Sequence, residues 1–245
     1  MTTKIRRPRR VLLVVMTIAL VGPALVGVLR SPAVAQHDDV KAGAKFLAPA
    51  QALHAHFCGI HIARGNPKFQ IVAQHYCAPH GEQMHQCILF DSTDKNAKLL
   101  GVEYIISDKL YRDLPEGEKK YWHPHTYEVL AGGLIAPSMT PADEMKFMKA
   151  LITTWGKTWH TWPDPTTTVP MGEPLLMWAL TGDGQDDKKV IAQRDRTFGV
   201  SITEIRAKRG EEFKLEVPQI PQPKTMDAIG RQWTAEGEDK AIPKK

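Results

Sequence analysis

Nine of the ten histidines of this chain fall between residues 54 and 160, and all three cysteines, Cys58, Cys77 and Cys87, fall within 53–87. Imidazole nitrogens and thiolates are the soft-to-borderline donors that bind Zn, Cu, Ni and Fe. Two H-x-H pairs occur, His54/His56 and His123/His125, and alternation on a strand would put both rings of a pair on one face. With His61, His75 and His160 they form the set of candidate metal ligands. Glu103 sits in the apolar run GVEYIIS and Glu128 follows the second H-x-H pair. Each could be a carboxylate ligand, the partner that orients an imidazole, or a catalytic group. The cofactor expected is a transition metal: Zn, Cu, Fe or Ni.

The spacing matches no zinc finger, no H-E-x-x-H and no C-x-x-C. The competing reading is a set of structural histidines that hydrogen-bond inside the fold. Cys58, Cys77 and Cys87 are the disulfide candidates, and an odd count leaves one thiol over. A Cys–His nucleophile lacks any supporting signature. His80 and His85 lie in a polar turn and read as surface residues. Whether the chain catalyses anything is open at this level.

These groups need elements to position them. Residues 53–63 fit a strand that aligns His54, His56 and Cys58, and equally a helix that aligns His54, Cys58 and His61. QIVAQHYC (70–77), QCILFDS (86–92), KLLGVEYIIS (98–107), GKTWHTW (156–162) and LLMWALT (175–181) read as strands, being apolar, β-branched or aromatic and bounded by turn residues. TYEVLAGGLIAP (126–137) reads as a strand interrupted by Gly132-Gly133. Thr140 and Pro141 open a helix with a buried Met145/Met148/Ile152/Trp155 stripe. Ser107 caps a short helix, and two more span 187–198 and 201–209. The fold class expected is α+β: a single domain with a mostly antiparallel sheet packed by several helices.

The ends carry a different signal. Residues 1–35 combine a basic start, an apolar run from Val11 to Leu29 and Ala33-x-Ala35, which is the order of a signal peptide. Export to a periplasm or secretion after cleavage near Ala35 is expected, and Arg9-Arg10 permits twin-arginine export. The chain carries 32 basic and 27 acidic residues, and six of the basic ones belong to 1–35. The remainder has 26 against 27, so no basic face predicts nucleic-acid binding. Residues 36–51 read as a flexible leader, 52–210 as the domain, and 211–245 as a mobile Pro/Lys/Glu-rich tail.

HxHFCGIHI, AQHYC, QCILFDS, AKLLGVEYIIS, LP-x-x-EK-x-x-WHPHTYEV, GKTWHTW, PMGEPLLMWALTGDGQ and FGVS, spread over about 52–210, resemble the oil body-associated protein family. The resemblance implies lipid-droplet association for the plant members and brings no established reaction. The family's His-bearing motifs fall on His54, His56, His61, His75, His123, His125 and His160, with Cys58, Cys77, Glu103 and Glu128. A signal peptide departs from the family pattern. The readings that stand are a His-rich metal protein, a lipid- or membrane-surface binding protein, and a structural His-rich fold with a disulfide. The oligomeric state is open.

Overall fold

The computed structural model describes residues 47–219, 232–233 and 239–240 of the 245-residue chain. The segment read as a signal peptide, most of the leader and most of the tail beyond Gln219 lie outside the described residues. Seven strands form the main sheet: β1 (Ala55–Ala63), β2 (Asn66–Pro79), β3 (Met84–Phe90), β4 (Leu99–Ser107), β5 (His123–Pro124), β6 (Thr154–His160) and β7 (Leu175–Ala179). Their order is β4-β3-β2-β1-β7-β6-β5, and β4 also pairs with β6. Every pairing is antiparallel.

The β4–β6 pairing closes the sheet. The α+β class expected from the sequence is therefore overturned: the chain builds a closed six-stranded antiparallel barrel, with β5 as one extra strand and few helices. The physical reason lies in the closure. Alternation identifies strands and hairpins, but β4 and β6 are separated by some fifty residues, and nothing local records that they meet. A twisted antiparallel sheet whose outer strands pair with each other has no need of a helical layer.

Inward and outward residues alternate along each strand. On β1 the inward set includes Phe57, Gly59 and His61, while Cys58, Ile60 and Ile62 face out. Two helices, α1 (Lys188–Phe198) and α2 (Ile202–Phe213), supply the cover on this outer side. Cys58 and Val72 pack there with Ile135, Val190, Phe198 and Ile205. Ser201 caps α2 by accepting from Glu204 N–H, and Gly199 ends α1 in the left-handed conformation. Phe213, the last residue of α2, and Val217 beyond it pack on the core.

One sector of the barrel is filled in an unusual way. β7 pairs only with His61–Ala63 of β1 and with Thr158–His160 of β6. The other halves of β1 and β6 are thus left without β7, and the segment 123–136 fills the opening. β5 pairs with Trp155 and Gly156, and Ile135 exchanges both backbone hydrogen bonds with Cys58. Between them lies a third helix, α3 (Thr126–Leu130), with buried Tyr127, Glu128, Val129 and Leu130. The strand expected over 126–137 does not form. Gly132, at φ 80°, turns the chain back just after α3, and a β-carbon there would meet the Ile202 carbonyl at 2.9 Å. A fourth helix, α4 (Pro141–Leu151), is capped by the Thr140 hydroxyl and buries Met148 and Leu151, while Trp155 belongs to β6.

Candidate metal centre

Glu103 is the hub. It occupies an inward position of β4, between Cys87 of β3 and Thr158 of β6 in the register, and is 2 % exposed. A carboxylate buried this deeply needs donors or cations around it. His75 Nε2 lies 2.9 Å from Glu103 Oε2, and His61 Nε2 lies 3.5 Å from the same oxygen. On the other oxygen, Oε1, stand His125 Nε2 at 3.2 Å and His123 Nε2 at 3.8 Å. Glu128 reaches the rim of this set, its Oε1 3.8 Å from His125 Nε2. All six side chains are buried.

The ring orientations are fixed from behind. His75 Nδ1 faces the Ala73 carbonyl at 3.2 Å, an atom that can only accept, so Nδ1 carries the proton. His125 Nδ1 lies 2.8 Å from the Thr154 hydroxyl, whose own proton goes to the Leu151 carbonyl, so this ring also donates from Nδ1. His61 Nδ1 lies 2.9 Å from His160 Nε2, and donation from His61 to His160 leaves His61 in the same tautomer. In a neutral imidazole with its proton on Nδ1, Nε2 is a lone pair. His75 and His125 thus aim lone pairs at the two oxygens of a carboxylate, an arrangement that could hold a cation between them.

Electrostatics agree with this assignment. Burial pushes the imidazoles of His61, His123 and His160 down, the last two well down, which keeps them neutral and ready to coordinate. Burial alone would raise the Glu103 carboxyl. Hydrogen bonds from the facing His125, His61 and His75 outweigh it and hold the group well below the usual carboxylate range. Glu128 is driven the other way, well up, by burial and then by Glu103, with Arg209 opposing.

The distances also suit an ion. Donor atoms of His61, His75 and Glu103 all lie within 4.8 Å of one another, and so do those of Glu103, His123 and His125. The first triangle has sides of 2.9, 3.1 and 3.5 Å. An ion with bonds of about 2.1 Å would sit roughly 1 Å above its plane, making a face of two imidazoles and one carboxylate oxygen. Such a face leaves further coordination positions for water or a substrate atom.

The remaining candidates are placed elsewhere. His54 is exposed, and His56 faces outward, bonded to the Ser138 hydroxyl and the Gln74 side chain. Cys58, also outward and fully buried, touches Gln74, and burial raises its thiol to about 12. Cys77 and Cys87, Cα partners on β2 and β3, form a disulfide next to Glu103 on the inner wall, so neither sulfur is a ligand. His80 is exposed and His85 partly so. Two residues that no sequence motif singles out are Thr154, which orients His125, and Gly156 on β6. A β-carbon on Gly156 would fall 2.2 Å from Glu103 Oε1 and 2.6 Å from His125 Nε2. Its absence is what lets β6 lie against the hub.

Comparison with known proteins completes the description. Residues 47–212 match the family model described as a protein of unknown function, DUF1264. Oil body-associated protein 1B of Arabidopsis thaliana is 36 % identical over 189 residues, 77 % of this chain and 78 % of the relative. Oil body-associated protein 1A of Zea mays is 36 % identical over 163 residues, 66 % and 68 % of the two chains. Oil body-associated protein 2A of Zea mays is 31 % identical over 193 residues, 78 % and 75 %. No solved structure matches. These names correct the exported, periplasmic or secreted localisation expected from the N-terminus: the relatives are plant proteins named for oil bodies. The segment that carried that expectation, 1–35, lies outside the described residues. With its match across the whole barrel and α1 and α2, the chain belongs to the DUF1264 family, that of the oil body-associated proteins.

Proposed function

We propose that this chain is a transition-metal protein whose ion is held inside the barrel at Glu103. The single observation that supports this is the convergence of Nδ1-anchored imidazoles, their Nε2 edges aimed at both oxygens of one buried carboxylate. A purely structural histidine network would place a donor proton against Glu103 without requiring two rings to be cationic. Two imidazoles and a carboxylate oxygen leave positions open, as in catalytic rather than closed structural metal sites. The donor set suits Zn, Fe, Cu or Ni, and the bound ion would polarise a substrate oxygen or lower the pKa of a bound water. Elemental analysis of the full chain, purified without tag or chelator, tests the reading. Stoichiometric metal that is lost in Glu103→Gln but kept in His54→Ala supports it. A metal-free protein whose melting temperature ignores both added Zn(II) or Fe(II) and chelator ends it.

A second reading, binding to a lipid surface, draws on the names of the relatives. Among the described residues no helix is long and apolar enough to cross a membrane. Two tryptophans that could serve such contact are occupied: Trp178 is buried under Arg64, and Trp162 donates to Thr167. Exposed Val169 and Met171, in the loop before β7, are the better apolar contacts. Flotation with triacylglycerol droplets tests this, and full chain that stays at the bottom with Val169 and Met171 intact refutes it.

A further inference from the structure

We infer that the centre holds two metal ions, bridged by the Glu103 carboxylate, with one ion on His61 and His75 and the other on His123 and His125. The inference rests on the metal reading above and specifies it.

The argument begins with how the donors are divided. Four imidazoles surround one carboxylate, and they split two and two between its oxygens: His61 and His75 at Oε2, His123 and His125 at Oε1. Among the described residues the donor atoms form two groups within 4.8 Å, and Glu103 is the member common to both. No such group combines an imidazole of one side with an imidazole of the other. A single ion with bonds of about 2.1 Å joins donors at most about 4.2 Å apart, even when they lie opposite each other. One ion therefore serves one side and leaves the lone pairs of the other facing a buried carboxylate. Two ions satisfy both sides, each with two imidazoles and one oxygen of the shared carboxylate. A carboxylate that gives one oxygen to each of two ions holds them about 3.5–4 Å apart, the spacing of two-metal sites.

The supporting elements fit the same division. The first side is built from adjacent barrel strands, β1 and β2, and is backed by the Ala73 carbonyl and His160. The second comes from the inserted segment, β5 and the start of α3, and is backed by Thr154. Glu128 stands 3.8 Å from His125 Nε2 and has no counterpart on the first side. It belongs to neither group of donors and borders the second side through His125. Against two divalent ions, the single Glu103 carboxylate leaves an excess of positive charge that a bridging hydroxide would reduce. The ligand class for the open positions is accordingly an oxygen anion.

Titration of the chelator-stripped full chain with Co(II), followed by elemental analysis and magnetic measurement, decides the matter. Two equivalents per chain with magnetic coupling between them are expected. His123→Ala/His125→Ala should keep one uncoupled equivalent with the visible spectrum of the first side, and His61→Ala/His75→Ala should keep the other. Circular dichroism confirms that each variant is folded, and the coupling in the unmutated chain stands without any variant. One equivalent in the unmutated chain, or two without coupling, overturns the bridged pair. A single equivalent leaves the simpler metal reading intact, whereas none overturns both.

Discussion

Replacing Gly156 by alanine tests the geometry of the centre without touching a ligand. The added β-carbon would lie 2.2 Å from Glu103 Oε1, 2.6 Å from His125 Nε2 and 2.9 Å from His123 Cε1. Ordinary contact begins near 3.4 Å, so the carboxylate must retreat by about 1 Å, against overpacking costs of about 1–3 kcal/mol in a filled interior. Metal–ligand distances tolerate only about 0.2 Å, so the same retreat abolishes ion binding. The assay is thermal unfolding with and without metal. At a free concentration about 100-fold above Kd, an ion stabilises its protein by about 2.7 kcal/mol, a rise of roughly 5–11 °C for a chain of this size. The unmutated protein should show that rise, and Gly156→Ala should melt lower and show none. Gly210→Ala is the control. It sits inside α2 with nothing within 4 Å of the added carbon, and should gain about 0.5–1 kcal/mol from helix propensity while keeping the metal-induced rise. A Gly156→Ala protein that keeps the full rise would refute the placement of β6 against Glu103.

Other consequences are as direct. Thr154→Val keeps the β-branched shape but removes the acceptor that fixes His125, and should weaken metal affinity roughly 10–100-fold with little loss of fold; unchanged affinity would remove Thr154 from the centre. Cys58, with its thiol raised to about 12 by burial, should not react with a neutral-pH thiol reagent until the chain unfolds. Unfolded protein should then titrate one thiol without reductant and three with it, because Cys77 and Cys87 are bonded. The metal-free protein should lose stability on acidification. His61, His123 and His160 have folded-state values below the ordinary 6.5, so the unfolded chain takes up protons first as pH falls through that value, and stability drops below it. Glu128, raised above 4.5, works in the opposite sense by favouring the folded state once protonated. These imidazoles, with His56 and His85, which burial also lowers, outweigh the one raised carboxyl and give a net fall in melting temperature between pH 7.5 and 5.5 in chelator; a rise would contradict the neutral burial of these rings.

Most of the strands, the caps of two helices and the inventory of donors were legible in the sequence. Apolar, β-branched and aromatic runs bounded by turn residues mark β2, β3, β4, β6 and β7, and Thr140 and Ser201 announce their helices through local hydrogen bonds. The concentration of imidazole along 54–160, with Glu103 alone in an apolar run, already pointed to a buried polar cluster. Which histidines enter it was decided by tertiary structure. His56 and His61 lie five residues apart on one strand, an odd step, so closure of the barrel sends one ring outward and the other in. His123 and His125 would share a face on an extended strand, yet they converge on Glu103 because the chain leaves β5 for α3 within two residues. That segment is drawn in by a gap that exists only because β7 is too short to line the whole of β1 and β6. Closure and gap-filling are long-range contacts between strands far apart in the chain, and residue periodicity carries no information about them.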